Sequence, residues 1–337
     1  MVKRYRYTQT KDTDPKRVAE LLALSRKQHQ FTNNGPVKTL LEEHLQQRLG
    51  LHGKRVVCFS SGTSALHALM FHCGDDVSWA VPAYTFPSPV VGIGAKTLIE
   101  DIAPPTFTLS PENLPECGGV ILTNLFGAYV DLDFWVKFCK QKGLALIFDN
   151  ASSPLSKCRG TNICNFGAYS FGSLHHTKYL GFGEGGFAVV PSEEYEAVNA
   201  LSSFGFGPER RHKAVSSNFK MSDVAAAYIL AHLESYSDDA HLAVQEAVVS
   251  ALADVGVELL GNQPGTVYGS LPIIFDHPIN LEDVDRSVIE VWKYYKPLAD
   301  LPRSLDLFSR ILNFPIYEGL GEHYTESLLR FVKRHLT

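Results

Sequence analysis

The sequence predicts an α/β protein: a large domain with a mostly parallel sheet flanked by helices, followed by a smaller α+β C-terminal domain. Two observations carry that expectation. Between about residues 50 and 200, short apolar β-branched runs alternate with segments of helical spacing, the pattern of a parallel sheet with helices on both faces. From Met221 the pattern gives way to the long helical stretch "SDVAAAYILAHLESY" and then to mixed short elements. The expected division is residues 1–235 and 236–337.

The elements follow in order. Residues 15 to 29 place Val18, Leu21, Leu22 and Leu24 at helical spacing, and the turn-rich "FTNNGP" follows. A second helix is expected over Val37 to Leu49. Then come a strand in "RVVCFSS", a helix in "TSALHALMF", strands in "SWAVPA", "KTLIED" and "GGVILTNLF", a helix over residues 131 to 142, and the strand "LALIFD".

Composition bounds the function. The chain has 337 residues, 45% hydrophobic and 20% charged, as expected of a folded globular protein rather than a disordered one. Its net charge of -5 argues against binding nucleic acid by bulk attraction to phosphate. The start "MVKRYRYTQTKDTD" has no apolar leader segment, and no apolar run approaches the roughly 20 residues a bilayer crossing needs. A cytoplasmic location without membrane association is therefore expected. The six cysteines form no C-x-x-C pair and read as buried free thiols.

Gly181, Gly183 and Gly186 spell G-x-G-x-x-G, the spacing of a dinucleotide-binding turn. That turn must open a helix, whereas Phe187-Ala188-Val189-Val190 reads as a strand ending at Pro191, so a nicotinamide site is not expected. Four other segments carry chemistry. In "SSGTSALHALM", Gly62-Thr63-Ser64 joins a strand to a helix whose N-terminal N–H groups and dipole suit an anion; simple N-capping by Ser61 or Thr63 is the plainer alternative. Asp149 ends a wholly apolar strand, at the edge where open α/β sheets bind ligands, and needs a cation or donors there; it could instead cap the next turn. Lys178 lies between a β-like run and a glycine-rich segment, where burial would favour the free amine that forms imines; a surface lysine is the alternative. Phe86 follows a strand end, where its ring could lie against a flat cofactor or simply pack in the core. The neighbouring His175 and His176 have no second ligand cluster at a zinc-like spacing, so no metal is expected.

Taken together, these segments resemble the sugar-nucleotide aminotransferases of the DegT group, fold-type I pyridoxal-phosphate (PLP) enzymes. "NGPVKTLLEEHL", "SSGTSALHAL", "VPAYTF", "LFGAYVDL", "IFDNAS", "SLHHTKYLGFGEGG", "NFKMSDVAAAYIL" and "YYKPL" occur in the family's order over nearly the whole chain. The resemblance implies that Lys178 forms the internal aldimine with pyridoxal 5'-phosphate and moves the proton, with pyridoxamine phosphate as intermediate. It implies that Asp149 holds the pyridinium nitrogen and that Phe86 and Ala151 sandwich the ring. Thr63 and Ser64 amides with the Ser173 hydroxyl would hold the phosphate, and Asn218 would reach it from the neighbouring subunit of a homodimer. Ser152 stands where many relatives have Gln or His at the ring hydroxyl, and Leu174 replaces the usual Phe. Asn218-Phe219-Lys220 replaces Asn-Tyr-Arg, a variant associated with members acting at carbon 4 of a hexose. Asn34, His175, Glu184 and Tyr317 are further candidates for substrate contact or for shaping the site.

The implied reaction moves the amino group of L-glutamate to a nucleotide-linked 4-keto-6-deoxyhexose, giving a 4-amino-4,6-dideoxy sugar such as viosamine for polysaccharide biosynthesis. Action on a 3-keto sugar is one alternative. A PLP-dependent sugar dehydratase is another, although such relatives replace the lysine with histidine. A catalytically silent protein that keeps the fold is a third.

Overall fold

A computed structural model describes residues 4–92, 94, 96–207 and 215–336. The chain opens with α1 (Pro15–Gln28) and α2 (Pro36–Arg48), each with proline in its first turn, where the missing N–H costs nothing. Then follow β1 (Lys54–Phe59), α3 (Gly62–Cys73), β2 (Trp79–Pro82), β3 (Thr97–Glu100), β4 (Gly119–Thr123), α4 (Leu132–Lys142) and β5 (Ala145–Asp149). A two-residue hairpin, β6 (Lys157–Cys158) and β7 (Thr161–Asn162), precedes β8 (Tyr169–Ser173), β9 (Gly186–Pro191), α5 (Tyr195–Leu201) and α6 (Asp223–Ser235). The C-terminal part holds α7 (Asp238–Ala253), β10 (Glu258–Leu259), β11 (Leu271–Ile274), α8 (Pro302–Arg310), β12 (Ile311–Phe314) and α9 (Glu322–His335).

The main sheet has seven strands in the order β1-β9-β8-β5-β4-β2-β3. β3, β2, β4, β5 and β8 run parallel, and β9 lies antiparallel to both β8 and β1. Alternation along the strands sorts side chains to two faces. Val56, Cys58, Phe187 and Val189 pack with α1, α2 and α6, while Val57, Phe59, Ala188 and Val190 pack with α3 and α5. Farther along, Val120, Leu122, Leu146 and Phe148 meet Trp135 and Cys139 of α4. Strands buried on both faces read as unbroken apolar runs, which is why they were legible. Gly181 to Gly186 lead into β9 rather than a helix, as expected, so the chain has no dinucleotide turn there.

The smaller sheet, β10-β11-β12, is antiparallel and packs with α7 and α9 around Phe275, Phe314, Tyr324 and Leu328. The N-terminal segment joins this core: Tyr5 N–H donates to Val288 O at 2.8 Å and Tyr5 O accepts from Glu290 N at 2.9 Å. All six cysteines are free, three buried and three half-buried.

One polar contact ties α1, α2 and α6 together. The fully buried Asp223 accepts from Ser25 Oγ at 2.5 Å, Val37 N at 3.1 Å and Lys38 N at 3.0 Å, so a residue of α6 caps α2 from outside. Gly35 is required beside it, because a Cβ there would lie 2.4 Å from the carboxylate. Asp223→Ala orphans three buried donors and is expected to cost about 3 kcal/mol or more in urea unfolding. Asp14→Ala, which removes only the exposed cap of α1, should cost about 1 kcal/mol. Equal costs would show that the Asp223 cap is not the stronger tie.

Candidate active site

The carboxyl ends of four parallel strands and one helix N-terminus open onto a single cavity of about 460 Å³. β2 leads to Thr85 and Phe86, β4 ends at Thr123, β5 ends at Asp149 and leads to Ala151 and Ser152, and β8 ends at Ser173. Ser61, Gly62 and Thr63 of the β1–α3 turn complete this side. A crevice at the carboxyl edge of such a sheet is where ligands bind in open α/β folds.

Lys178 sits in the hairpin between β8 and β9. Leu174 N donates to Gly185 O and His176 N to Gly183 O, both at 2.8 Å, so the antiparallel ladder continues beyond the strands. Lys178 N to His175 O at 2.8 Å and Gly181 N to Lys178 O at 2.9 Å then close tight turns around the lysine. Gly181 has no room for a side chain, since a Cβ would lie 2.2 Å from His175 O. His175 and Glu184 flank the lysine in the cavity wall, His175 Nε2 lying 3.4 Å from Glu184 Oε1. His175 Nδ1 accepts from Thr177 N at 3.2 Å, which leaves the ring proton on Nε2, facing that carboxylate.

At the helix end, Ser61 Oγ accepts from Ser64 N at 3.0 Å and Ser61 O from Ala65 N at 3.1 Å. Ser64 is thus buried one turn in, with its amide spent. Gly62 and Thr63 keep N–H groups with no acceptor among the described residues, which leaves them available to an anion. The strand beside them must be glycine, because a Cβ on Gly186 would stand 2.2 Å from Gly62 N.

Asp149 is buried. One oxygen accepts from Ala151 N at 2.9 Å, and the other has no donor among the described residues. Burial pushes this carboxyl up to about 6, with the Ala151 N–H and the charge of Lys178 pulling the other way. A cationic or N–H-bearing group would suit this carboxylate.

The sequence therefore places Thr63, Phe86, Asp149, Ala151, Ser152, Ser173, His175, Lys178 and Glu184 around one cavity. Asn34, Asn218 and Tyr317 lie outside its lining. Asn34 Oδ1 accepts from Lys38 Nζ at 3.0 Å, Asn218 Oδ1 from Lys220 Nζ at 2.5 Å, and Tyr317 OH donates to Arg6 O at 3.0 Å. The opposite wall was not foreseen: Tyr7, Gly269, Ser270, Tyr294 and Tyr295. Tyr7 OH donates to Ser270 Oγ at 2.7 Å, and Tyr295 stacks on Phe126 with centroids 5.5 Å apart. The "YYKPL" segment was the available signal for two of these; nothing near Tyr7 in the sequence hinted at a site.

The residues fit pyridoxal 5'-phosphate. A buried carboxylate with one oxygen open, a lysine lining the same cavity and two free amides at a helix N-terminus are what its ring nitrogen, aldehyde and phosphate need.

In the cofactor-free protein, the folded Asp149 holds its proton to about pH 6 whereas the unfolded chain releases it near 3.8. The folded state binds more protons across that window, so stability falls as pH rises through it. Asp149→Asn removes the penalty and is expected to exceed the parent above pH 6 by up to about 3 kcal/mol, while the two converge below pH 4. Urea unfolding between pH 4 and 8 checks this; a constant gap would overturn it.

Comparison with known proteins agrees with this geometry. A putative PLP-dependent aminotransferase from Bacillus cereus superposes with a TM-score of 0.86, covering 98% of this chain and 100% of that one at 20% identity. DesI, crystallised with its TDP-sugar product, superposes at 0.84 over 96% and 91% of the two chains at 23% identity. The chain is 28% identical over 241 residues to the UDP-2-acetamido-2-deoxy-3-oxo-D-glucuronate aminotransferase of Pseudomonas aeruginosa, a segment covering 66% of each protein. It is 29% identical over 214 residues to the dTDP-4-amino-4,6-dideoxy-D-glucose transaminase of Shigella dysenteriae, covering 61% of this chain and 58% of that one. It is 25% identical over 319 residues to the GDP-perosamine synthase of Vibrio cholerae, covering 84% and 86%. The fold is that of the PLP-dependent aminotransferases, and with residues 12–259 matching the family's pattern the chain belongs to the DegT/DnrJ/EryC1/StrS aminotransferase family.

Proposed function

We propose that this protein transfers the amino group of L-glutamate to a nucleotide-linked 4-keto-6-deoxyhexose, giving a 4-amino-4,6-dideoxy sugar nucleotide. The observation that carries the reading is the meeting of Lys178, Asp149 and the open α3 N-terminus in one cavity. Pyridoxal 5'-phosphate, when bound, supplies the electron sink that makes a carbon–hydrogen bond next to nitrogen acidic. The chain's residues do the rest. Lys178 Nζ takes and returns the proton. Asp149 accepts from the ring N–H and favours the protonated nitrogen. Gly62 and Thr63 N–H groups, with the Ser173 hydroxyl, bind the phosphate. Phe86 and Ala151 confine the ring, and Ser152, whose Oγ lies 3.5 Å from Tyr295 OH, faces the substrate wall.

Support for carbon 4 comes from the Asn218-Phe219-Lys220 variant and from relatives whose names specify 4-amino-4,6-dideoxyglucose and perosamine. The Pseudomonas relative acts, by its name, on a 3-oxo sugar, which supports the second reading, amination at carbon 3. We also infer a homodimer in which Asn218 approaches the partner's cavity. Phe86 is 54% exposed at the cavity, and Phe204 and Phe206 are exposed on the segment next to the one bearing Asn218.

With nucleotide-linked 4-keto and 3-keto sugars offered alongside glutamate, product masses should show amination of the 4-keto-6-deoxy substrates. Reaction of the 3-keto sugars alone would move the assignment to carbon 3. Lys178→Ala should fold normally and lower turnover roughly a thousandfold or more; a variant that retained turnover would refute the catalytic assignment. Light scattering should give twice the chain's mass, and a monomer would remove the role given to Asn218.

A further inference from the structure

The turn that carries Lys178 presents three backbone carbonyls to one point, and the ammonium of Lys11 fills it. Lys11 Nζ donates to His176 O at 2.8 Å and also to Lys178 O and Gly181 O. No carboxylate lies within ion-pair distance of Lys11 among the described residues, so backbone carbonyls alone hold the amine, and burial pulls its pKa down to about 7. Lys178 O, which also accepts from Gly181 N at 2.9 Å, meets Lys11 Nζ with its second lone pair, while His176 O and Gly181 O meet it directly.

Lys11 is also the end of a strap. Tyr5 is paired with the Val288–Glu290 segment, Tyr7 N donates to Glu290 Oε2 at 3.1 Å, and the Tyr7 ring lines the cavity beside Tyr294 with centroids 5.6 Å apart. Five residues, Tyr7 to Lys11, join the cavity lining to the backbone of the lysine turn. A lysine amine acts from the end of a long stem, so its reach depends on where its Cα is held, and misplacement by about 1 Å can cost about a hundredfold.

We propose that Lys11 is a positioning residue for the reaction, clamping the turn so that the Lys178 amine is held in the cavity. The inference rests on the proposed role of Lys178. Lys54 provides a matched control: its ammonium likewise donates to backbone carbonyls, Cys164 O at 2.9 Å and Phe166 O at 3.3 Å, away from the cavity.

The test reconstitutes cofactor-free full-length protein with pyridoxal phosphate, quenches with borohydride at timed intervals, and reads by peptide mass spectrometry how much Lys178 carries the reduced cofactor. Wild type and Lys54→Met should label at the same rate. Lys11→Met should label about 10- to 100-fold more slowly, with kcat for the glutamate half-reaction reduced similarly and KM within about twofold. Lys11→Gln, which keeps one donor group, should fall between and decides the matter if Lys11→Met does not fold. Thermal unfolding should place Lys11→Met and Lys54→Met near each other. Wild-type labelling in the Lys11 variants, or equal slowing in Lys54→Met, overturns the clamp while leaving the function standing. No label on Lys178 in the wild type sinks the functional reading and the clamp with it.

Discussion

The site depends on one unfavourable burial. Asp149 is carried by an apolar strand to the edge of a sheet covered on both faces, where a carboxylate is costly unless a donor meets it. Among the described residues, a single backbone N–H meets it and the second oxygen has no donor. That deficit is what a protonated ring nitrogen would answer. The neighbouring features have the same complementarity: free N–H groups for an anion at α3, a lysine amine on the facing hairpin, and aromatic rings along the sides. Each alone has an ordinary structural explanation. Their convergence on one cavity does not.

The antiparallel strand explains how the lysine arrives there. If β8 were followed by a helix, as in a dinucleotide-binding fold, the chain would leave the site. It turns back instead, and Gly181, Gly185 and Gly186 let the hairpin pass against Leu174, Met221 and the α3 N-terminus where a Cβ would collide. The same glycines that mimic a phosphate-binding fingerprint thus hold a lysine near the open N-terminus of α3. The N-terminal strap adds a second layer, because residues close together in sequence touch both the C-terminal part and the lysine turn.

The rest of the lining is aromatic and hydroxyl-bearing. Tyr7, Ser270, Tyr294 and Tyr295 present rings and hydroxyls rather than charges, surfaces suited to a sugar ring and its hydroxyl groups. Related sequences that act at different carbons differ from this chain at seven of ten positions or more, so family membership fixes the chemistry more firmly than the substrate.

Most of the fold was legible because buried strands are continuous apolar runs and surface helices carry caps and amphipathic spacing, all local properties. Lys178, Asp149, Phe86 and the α3 turn could be picked out near strand ends, but local pattern left each with a plain alternative, and only the resemblance to a family singled them out. What local pattern could not supply was anything requiring distant segments to meet. Ser64 was expected beside Thr63 as a phosphate-facing amide, but its N–H is taken by Ser61 Oγ, a contact only the folded cap reveals. Asn34, Asn218 and Tyr317 have partners elsewhere. Tyr7, Ser270 and Lys11 reach the site only because the N-terminal segment lies against residues more than 160 positions away, a placement set by packing of the whole chain and carried by no periodicity in the sequence.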